Sequence, residues 1–219
     1  MILIFDMDDT LYDESTYVKS SFKAVANYLS RKYLLPYNNL LRSSLQILDE
    51  NGRGKIFDEL LIKNNIYTKT EVRNCLSVYR GNTPDISIFK EAEQVLTYLK
   101  DYSKYLVTDG NKNVQYKKVK ALGLKRYFKK IFLTHRYGIK NAKPSTYCFT
   151  LIKELEGCEW NDMTYIADDP NKDFVNLKPL GMKTVRVLKG RFKNQRAKKK
   201  YDAKFNINNL TELTKLLGI

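Results

Sequence analysis

Along most of the chain, short continuous apolar runs alternate with stretches in which apolar residues recur every three to four positions. Continuous runs suit strands covered on both faces, and the amphipathic stretches between them suit crossover helices, so the pattern predicts an α/β fold around a parallel sheet. Strands are expected at residues 2–5, 105–108, 131–133, 164–167 and 184–187, with a weaker one at 205–207. Helices are expected at 88–99, where Ile88, Ala92, Val95 and Leu99 share a face, and at 114–122, 145–155, 171–180 and 210–217.

One segment breaks the alternation. From residue 14 to 84 nothing reads as a buried strand, while Val18, Phe22, Val25, Leu29 and Tyr33 recur at helical spacing. Further helical pieces at 40–48, 56–62 and 71–79, punctuated by Pro36, Gly52 and Gly54 and closed by Gly81 and Pro84, predict a small bundle of four helices. The chain therefore divides into an α/β core of residues 1–13 and 85–219 and a helical insert of residues 14–84.

Composition narrows the classes. In 219 residues, 43% are hydrophobic and 29% charged, which excludes a disordered, collagen-like or disulfide-scaffold chain. Lys and Arg total 39 against 24 Asp and Glu, a net +15, so the surface attracts anions: phosphate esters, nucleic acid or acidic lipid. Cys75, Cys148 and Cys158 have no CxxC spacing, so neither a zinc site nor a disulfide framework is expected. Residues 1–5 run directly into Asp6, Asp8 and Asp9 without a basic region, unlike a secretory signal, and no run approaches the roughly 18 apolar residues of a membrane span. A cytoplasmic protein without a membrane partner is the expectation.

The candidate chemistry falls at the ends of the predicted strands, the edge where open α/β folds bind ligands. The first strand runs into F-D-M-D-D-T-L, which sets Asp6, Asp8 and Thr10 just beyond it. Carboxylates converging in a turn there need a cation, and Mg2+ is the natural hard-oxygen partner. The second strand ends at Thr108 and continues Asp109, Gly110, Asn111, a hydroxyl beside a glycine turn suited to phosphate. Lys143 precedes Pro144, where a helix is expected to begin, and the fourth strand ends in Asp168, Asp169 and Pro170, with Asp173 beyond.

These four motifs, F-D-M-D-D-T, V-T-D-G-N, K-P and A-D-D-P-N-K-D, resemble those of the haloacid dehalogenase (HAD) superfamily over residues 2–187. The resemblance implies a Rossmann-like core and makes the insert similar to the superfamily's type-one helical cap. It implies Asp6 as the nucleophile of an aspartyl-phosphate, Asp8 as acid and then base, and Thr108 and Lys143 as holders of the phosphoryl group, with Asp109 and Gly110 beside them. It further implies Mg2+ held by Asp6, Asp168 and the Asp8 carbonyl, with Asp169 or Asp173 completing the shell. A dehalogenase of the superfamily lacks the second carboxylate of the first motif, so Asp8 favours phosphate esters; Ala167 replaces a common Gly without consequence. Asp8 is expected to have a raised pKa, as a group donating a proton at neutral pH requires.

The expected function is Mg2+-dependent hydrolysis of a small phosphorylated metabolite, a sugar phosphate first and a nucleoside monophosphate second, by a monomer or homodimer. The alternatives are a sugar-phosphate mutase of the same superfamily and a non-catalytic phosphometabolite- or nucleic-acid-binding protein. The stretch 189–204, with eight basic residues against Asp202, could be a nucleic-acid patch, but a solvated surface loop is the favoured reading. His135 is expected to be an ordinary loop residue, and Cys148 and Cys158 small buried apolar groups.

Overall fold

Six parallel strands form one sheet in the order β3-β2-β1-β4-β5-β6, in a computed structural model that describes residues 1–219. The strands are β1 (Ile2–Phe5), β2 (Ser103–Thr108), β3 (Lys130–Leu133), β4 (Met163–Ala167), β5 (Lys183–Val187) and β6 (Phe205–Ile207). Leu3, Ile4 and Phe5 are wholly buried, as a central strand covered on both faces requires. β1 pairs with both β2 and β4, with Phe5 opposite Leu106 on one side and Ile166 on the other. The strand order reverses at β1, so the carboxyl ends of β1 and β4 flank a topological switch point.

The core unit comprises Met1–Glu14 and Ser87–Ile219. Its helices are α5 (Lys90–Tyr98), α6 (Lys112–Ala121), α7 (Tyr147–Glu156) and α8 (Glu212–Leu217). Ile4, Val107, Tyr165 and Ala167 from the sheet pack with Cys148, Phe149 and Ile152 of α7. Cys158, by contrast, is only half-buried beside this cluster. Phe149 meets Tyr165 edge-on at 4.8 Å.

The second unit, Ser15–Ile86, is helical. It is built from α1 (Glu14–Tyr33), which starts in the core unit, α2 (Tyr37–Asn51), α3 (Ile56–Lys63) and α4 (Lys69–Gly81). Phe22, Phe57 and Tyr79 pack as an aromatic cluster with centroids 5.7 to 6.2 Å apart. Thr68 caps α4 by accepting the Glu71 amide at 3.0 Å, and the Glu71 carboxylate accepts from Tyr28 and Lys32, each at 2.6 Å. No helix is long and apolar enough to cross a membrane.

Two expectations about helices are corrected. Residues 171–180 form turns and a single 3-10 turn at Lys178–Leu180. There Asp169 and Asp173 spend their side chains on nearby backbone amides, at Asn171 (2.9 Å) and Asp169 (3.0 Å), and Pro179 supplies no amide hydrogen. The helical spacing of Phe174 and Leu177 nonetheless buries both. After Lys143, joined to Pro144 by a cis peptide bond, α7 begins only at Tyr147.

The basic stretch is tied down along its backbone. Arg186, buried in β5, donates to the carbonyls of Phe192 (2.7 Å) and Gln195 (2.9 Å) and pairs with Asp202 (3.2 Å). The side chains of Arg191, Lys193, Arg196, Lys198, Lys199 and Lys200 are exposed.

Candidate active site

The turn after β1 gathers the first motif. Leu11 N donates to Met7 O at 3.0 Å, and Asp9 adopts a left-handed φ of 52°, a conformation that Asp tolerates better than most residues. The Asp9 carboxylate faces backbone, accepting from Glu14 N at 2.9 Å and from Arg191 N at 3.0 Å. Gly190 packs so closely here that a Cβ would lie 2.0 Å from Asp9 Cγ. Only glycine fits, which locks the start of the basic stretch onto the loop carrying Asp6 and Asp8.

Asp6, Asp168 and Asp173 place carboxylate oxygens within 4.8 Å of one another, all buried. Lys143 lies among them: its Nζ is 2.7 Å from Asp6 Oδ1, 2.7 Å from Asp173 Oδ1 and 3.0 Å from the Tyr165 hydroxyl, which donates to Asp173 at 3.1 Å. One cation among three clustered carboxylates leaves excess negative charge out of water. Burial pushes Asp6 up to about 7 against the pull of Lys143, with Asp173 adding to the rise. Burial, then the charges of Asp6 and Asp173, push Asp168 up to about 10. Burial would lower the Lys143 ammonium, but Asp173 and Asp6 outweigh it and hold it well above the usual lysine range. An all-oxygen cluster short of positive charge fits a hard divalent cation such as Mg2+.

Asp169 stands apart from this cluster. Its Oδ1 accepts from the backbone and side chain of Asn171, and its Oδ2 lies 3.7 Å from Lys172.

Asp8 is clamped from three directions. Tyr12 Oη (2.5 Å) and Lys118 Nζ (2.7 Å) donate to Oδ1, and Gln115 Nε2 (2.8 Å) donates to Oδ2. Burial alone would raise this carboxyl, but Lys118, Tyr12 and Gln115 outweigh it, and the net pKa lies below the ordinary aspartate value. The expected raised pKa is thus reversed, because the free protein surrounds Asp8 with donors.

The second motif divides its duties. Thr108 Oγ1 is buried and accepts from Gln115 Nε2 at 2.7 Å. Asp109 Oδ1 accepts from Thr134 Oγ1 (2.5 Å) and from the backbone amide of Lys143 (3.1 Å), so this carboxylate fixes the chain that carries the lysine. Gly110 has a φ of 125° and lies against Gln115. Asn111 caps α6 by accepting from Asn113 N and Val114 N.

Three residues of the site went unrecognised in the sequence: Gln115, Lys118 and Tyr165. A signal existed for two of them. The buried positions of α6 are Val114, Gln115, Lys118 and Val119, so half of its inner face is polar. Buried polar side chains require partners. Tyr165 lies within an apolar run, where the sequence alone gives no sign that its hydroxyl is used.

Known proteins resemble this chain in sequence and fold. The family model described as haloacid dehalogenase-like hydrolase matches residues 3–187. Glyceraldehyde 3-phosphate phosphatase of Methanocaldococcus jannaschii is 26% identical over 222 residues, covering 98% of this chain and 96% of the relative. Among solved structures, the magnesium-bound HAD-hydrolase YfnB of Bacillus subtilis superposes with a TM-score of 0.70 at 19% identity, covering 100% of this chain and 98% of the other. A HAD phosphatase of Thermococcus onnurineus gives a TM-score of 0.64 at 23% identity, with 99% and 97% covered. These two structural likenesses establish a shared fold.

Proposed function

The chain belongs to the haloacid dehalogenase-like hydrolases, and from that premise we propose that it is a Mg2+-dependent phosphatase of small sugar phosphates, with triose phosphates foremost. The observation that carries this reading is the Asp6 carboxylate, ion-paired with Lys143 inside the cluster of Asp168 and Asp173, with Asp8 two residues away. The name of the archaeal relative supports a three-carbon sugar phosphate as substrate. In this reading Met1–Glu14 with Ser87–Ile219 is the catalytic core and Ser15–Ile86 the cap.

Asp6 attacks phosphorus, forming an aspartyl-phosphate as the bond to the leaving alcohol breaks. Lys143 holds Asp6 through Oδ1, favours its ionised form against the effect of burial and offers its charge to the transferring group. Asp6, Asp168 and Asp173 are the residues that would hold Mg2+, directly or through water. When bound, the ion supplies the positive charge that lets an anionic nucleophile approach an anionic phosphate.

Asp8 protonates the leaving oxygen and then takes a proton from the water that hydrolyses the aspartyl-phosphate. Its Oδ1 already accepts from Tyr12 and Lys118, which fills both lone pairs, so the proton in transit belongs on Oδ2. The clamp keeps Asp8 ionised in the free protein, and the arriving phosphate's negative charge opposes Lys118 and favours protonation.

The test is phosphate release from triose, pentose and hexose phosphates, nucleoside monophosphates and an aryl phosphate, with Mg2+, with chelator and with Asp6→Asn. Chelator-sensitive turnover concentrated on triose phosphates and absent in the variant is expected. Equal activity in Asp6→Asn would remove the aspartyl-phosphate from the mechanism.

A further inference from the structure

Gln115 is fully buried on the inner face of α6, and its Nε2 touches two groups at once: Asp8 Oδ2 at 2.8 Å and Thr108 Oγ1 at 2.7 Å. A carboxylate oxygen only accepts, so the amide must present its NH2 here, with its own oxygen turned away. That nitrogen carries two hydrogens and no usable lone pair. The second hydrogen therefore goes to Thr108, whose hydroxyl accepts in this direction and must aim its own hydrogen elsewhere.

We propose that Gln115 is a positioning residue whose single NH2 group does two things: it holds Asp8 in place through Oδ2, and it makes Thr108 an obligate donor toward the phosphoryl oxygens. The inference rests on the assignment of Asp8 as acid/base and Thr108 as phosphate ligand. Burying an amide is costly unless its hydrogen bonds are made, and an apolar side chain at position 115 would suit α6 equally well for packing alone. The surroundings are shaped to the amide. Gly110, at a φ of 125° that favours glycine, packs against Gln115, and Lys118, three residues along the same face, grips the other Asp8 oxygen.

The test compares wild type, Gln115→Met, Thr108→Val and the double variant on two substrates: an alkyl phosphate, whose leaving group needs a proton, and 4-nitrophenyl phosphate, whose leaving group does not. Affinity for orthovanadate, read by thermal shift with Mg2+, reports the phosphoryl contacts without turnover. Gln115→Met is expected to retain its circular dichroism and to lose roughly 100-fold in kcat/KM on the alkyl ester, which reads the transfer step that precedes the shared aspartyl-phosphate, with a loss about tenfold smaller on the aryl ester. Vanadate binding weakens in Gln115→Met, and the double variant binds it no worse than Thr108→Val, since both changes remove one shared hydrogen bond. Equal losses on the two esters, unchanged vanadate affinity or an additive double variant would each overturn the proposal. If Gln115→Met fails to fold, Gln115→Glu takes its place, because it keeps the shape and turns a carboxyl toward Asp8. Wild type inactive on both esters would instead overturn the phosphatase assignment itself, and this inference with it.

Discussion

The ammonium of Lys143 lies 2.7 Å from Asp6 Oδ1, with both side chains almost completely buried, so the candidate nucleophile meets its counter-charge out of water. Removing one partner of such a pair leaves the other charge uncompensated. Lys143→Met is expected to destabilise the metal-free protein by about 3–5 kcal/mol and to lower kcat by more than roughly 1,000-fold. Urea unfolding in chelator and phosphate-release kinetics measure the two effects. Unaltered stability would mean that Asp6 and Asp173 do not depend on this lysine.

In the proposed reading, protons and Mg2+ compete for the same carboxylates. In the metal-free protein Asp6 is raised to about 7 and Asp168 to about 10. The folded state therefore holds protons that the unfolded state, near 3.8, releases. The stability they contribute is complete below pH 3.8 and is lost as pH rises through about 7 and then about 10. Saturating Mg2+ is expected to raise the melting temperature strongly at pH 8 and little at pH 5. At a hundredfold excess over its Kd the gain is about 2.7 kcal/mol. A shift independent of pH would place the ion elsewhere.

Asp168→Asn is expected to separate stability from activity. No hydrogen-bonded cation faces Asp168, which is raised to about 10 chiefly by burial and by Asp6 and Asp173, so at pH 8 folding must hold a proton on a carboxyl that the unfolded chain, near 3.8, releases, and Asn removes that cost. The metal-free variant should melt at a higher temperature than wild type at pH 8, yet show neither the Mg2+ shift nor turnover. A variant less stable than wild type in chelator would contradict the charge accounting.

In the helical unit, Glu71 is held down to about 2: burial raises it, but the hydrogen bonds from Lys32 and Tyr28 prevail. A depressed carboxyl contributes stability above its unfolded value of 4.5 and loses that contribution as pH falls through about 2. Glu71→Gln should therefore be less stable than wild type at pH 7, with the gap closing between pH 4.5 and 2. Thermal unfolding of both proteins across that range reads it directly.

All six strands and the four-helix insert were legible because apolar periodicity records which faces are buried. Asp6, Asp168 and Asp173 were marked by their positions after strand ends and Lys143 by its place before Pro144, and the structure brings those four together. The segment 171–180 misled because Phe174 and Leu177 keep helical spacing in a run whose backbone is claimed by Asp169 and Asp173. Gln115 and Lys118 were hidden because their reason for burial is Asp8, more than a hundred positions away. The direction of the Asp8 shift was unreadable for the same cause. A pKa belongs to an environment that only the folded chain assembles.

The place of β1 in the sheet has a consequence for biosynthesis. Its neighbour β2 follows only after the whole helical segment Ser15–Ile86, and its other neighbour β4 begins at Met163. At about 5–20 residues per second, a ribosome takes on the order of ten seconds to pass from Phe5 to Ala167. Throughout that interval Asp6 lacks Asp168 and Asp173, and the carboxylate cluster is incomplete. The strand made first is thus enclosed late, and the buried carboxylate cluster forms only after most of the chain has been translated.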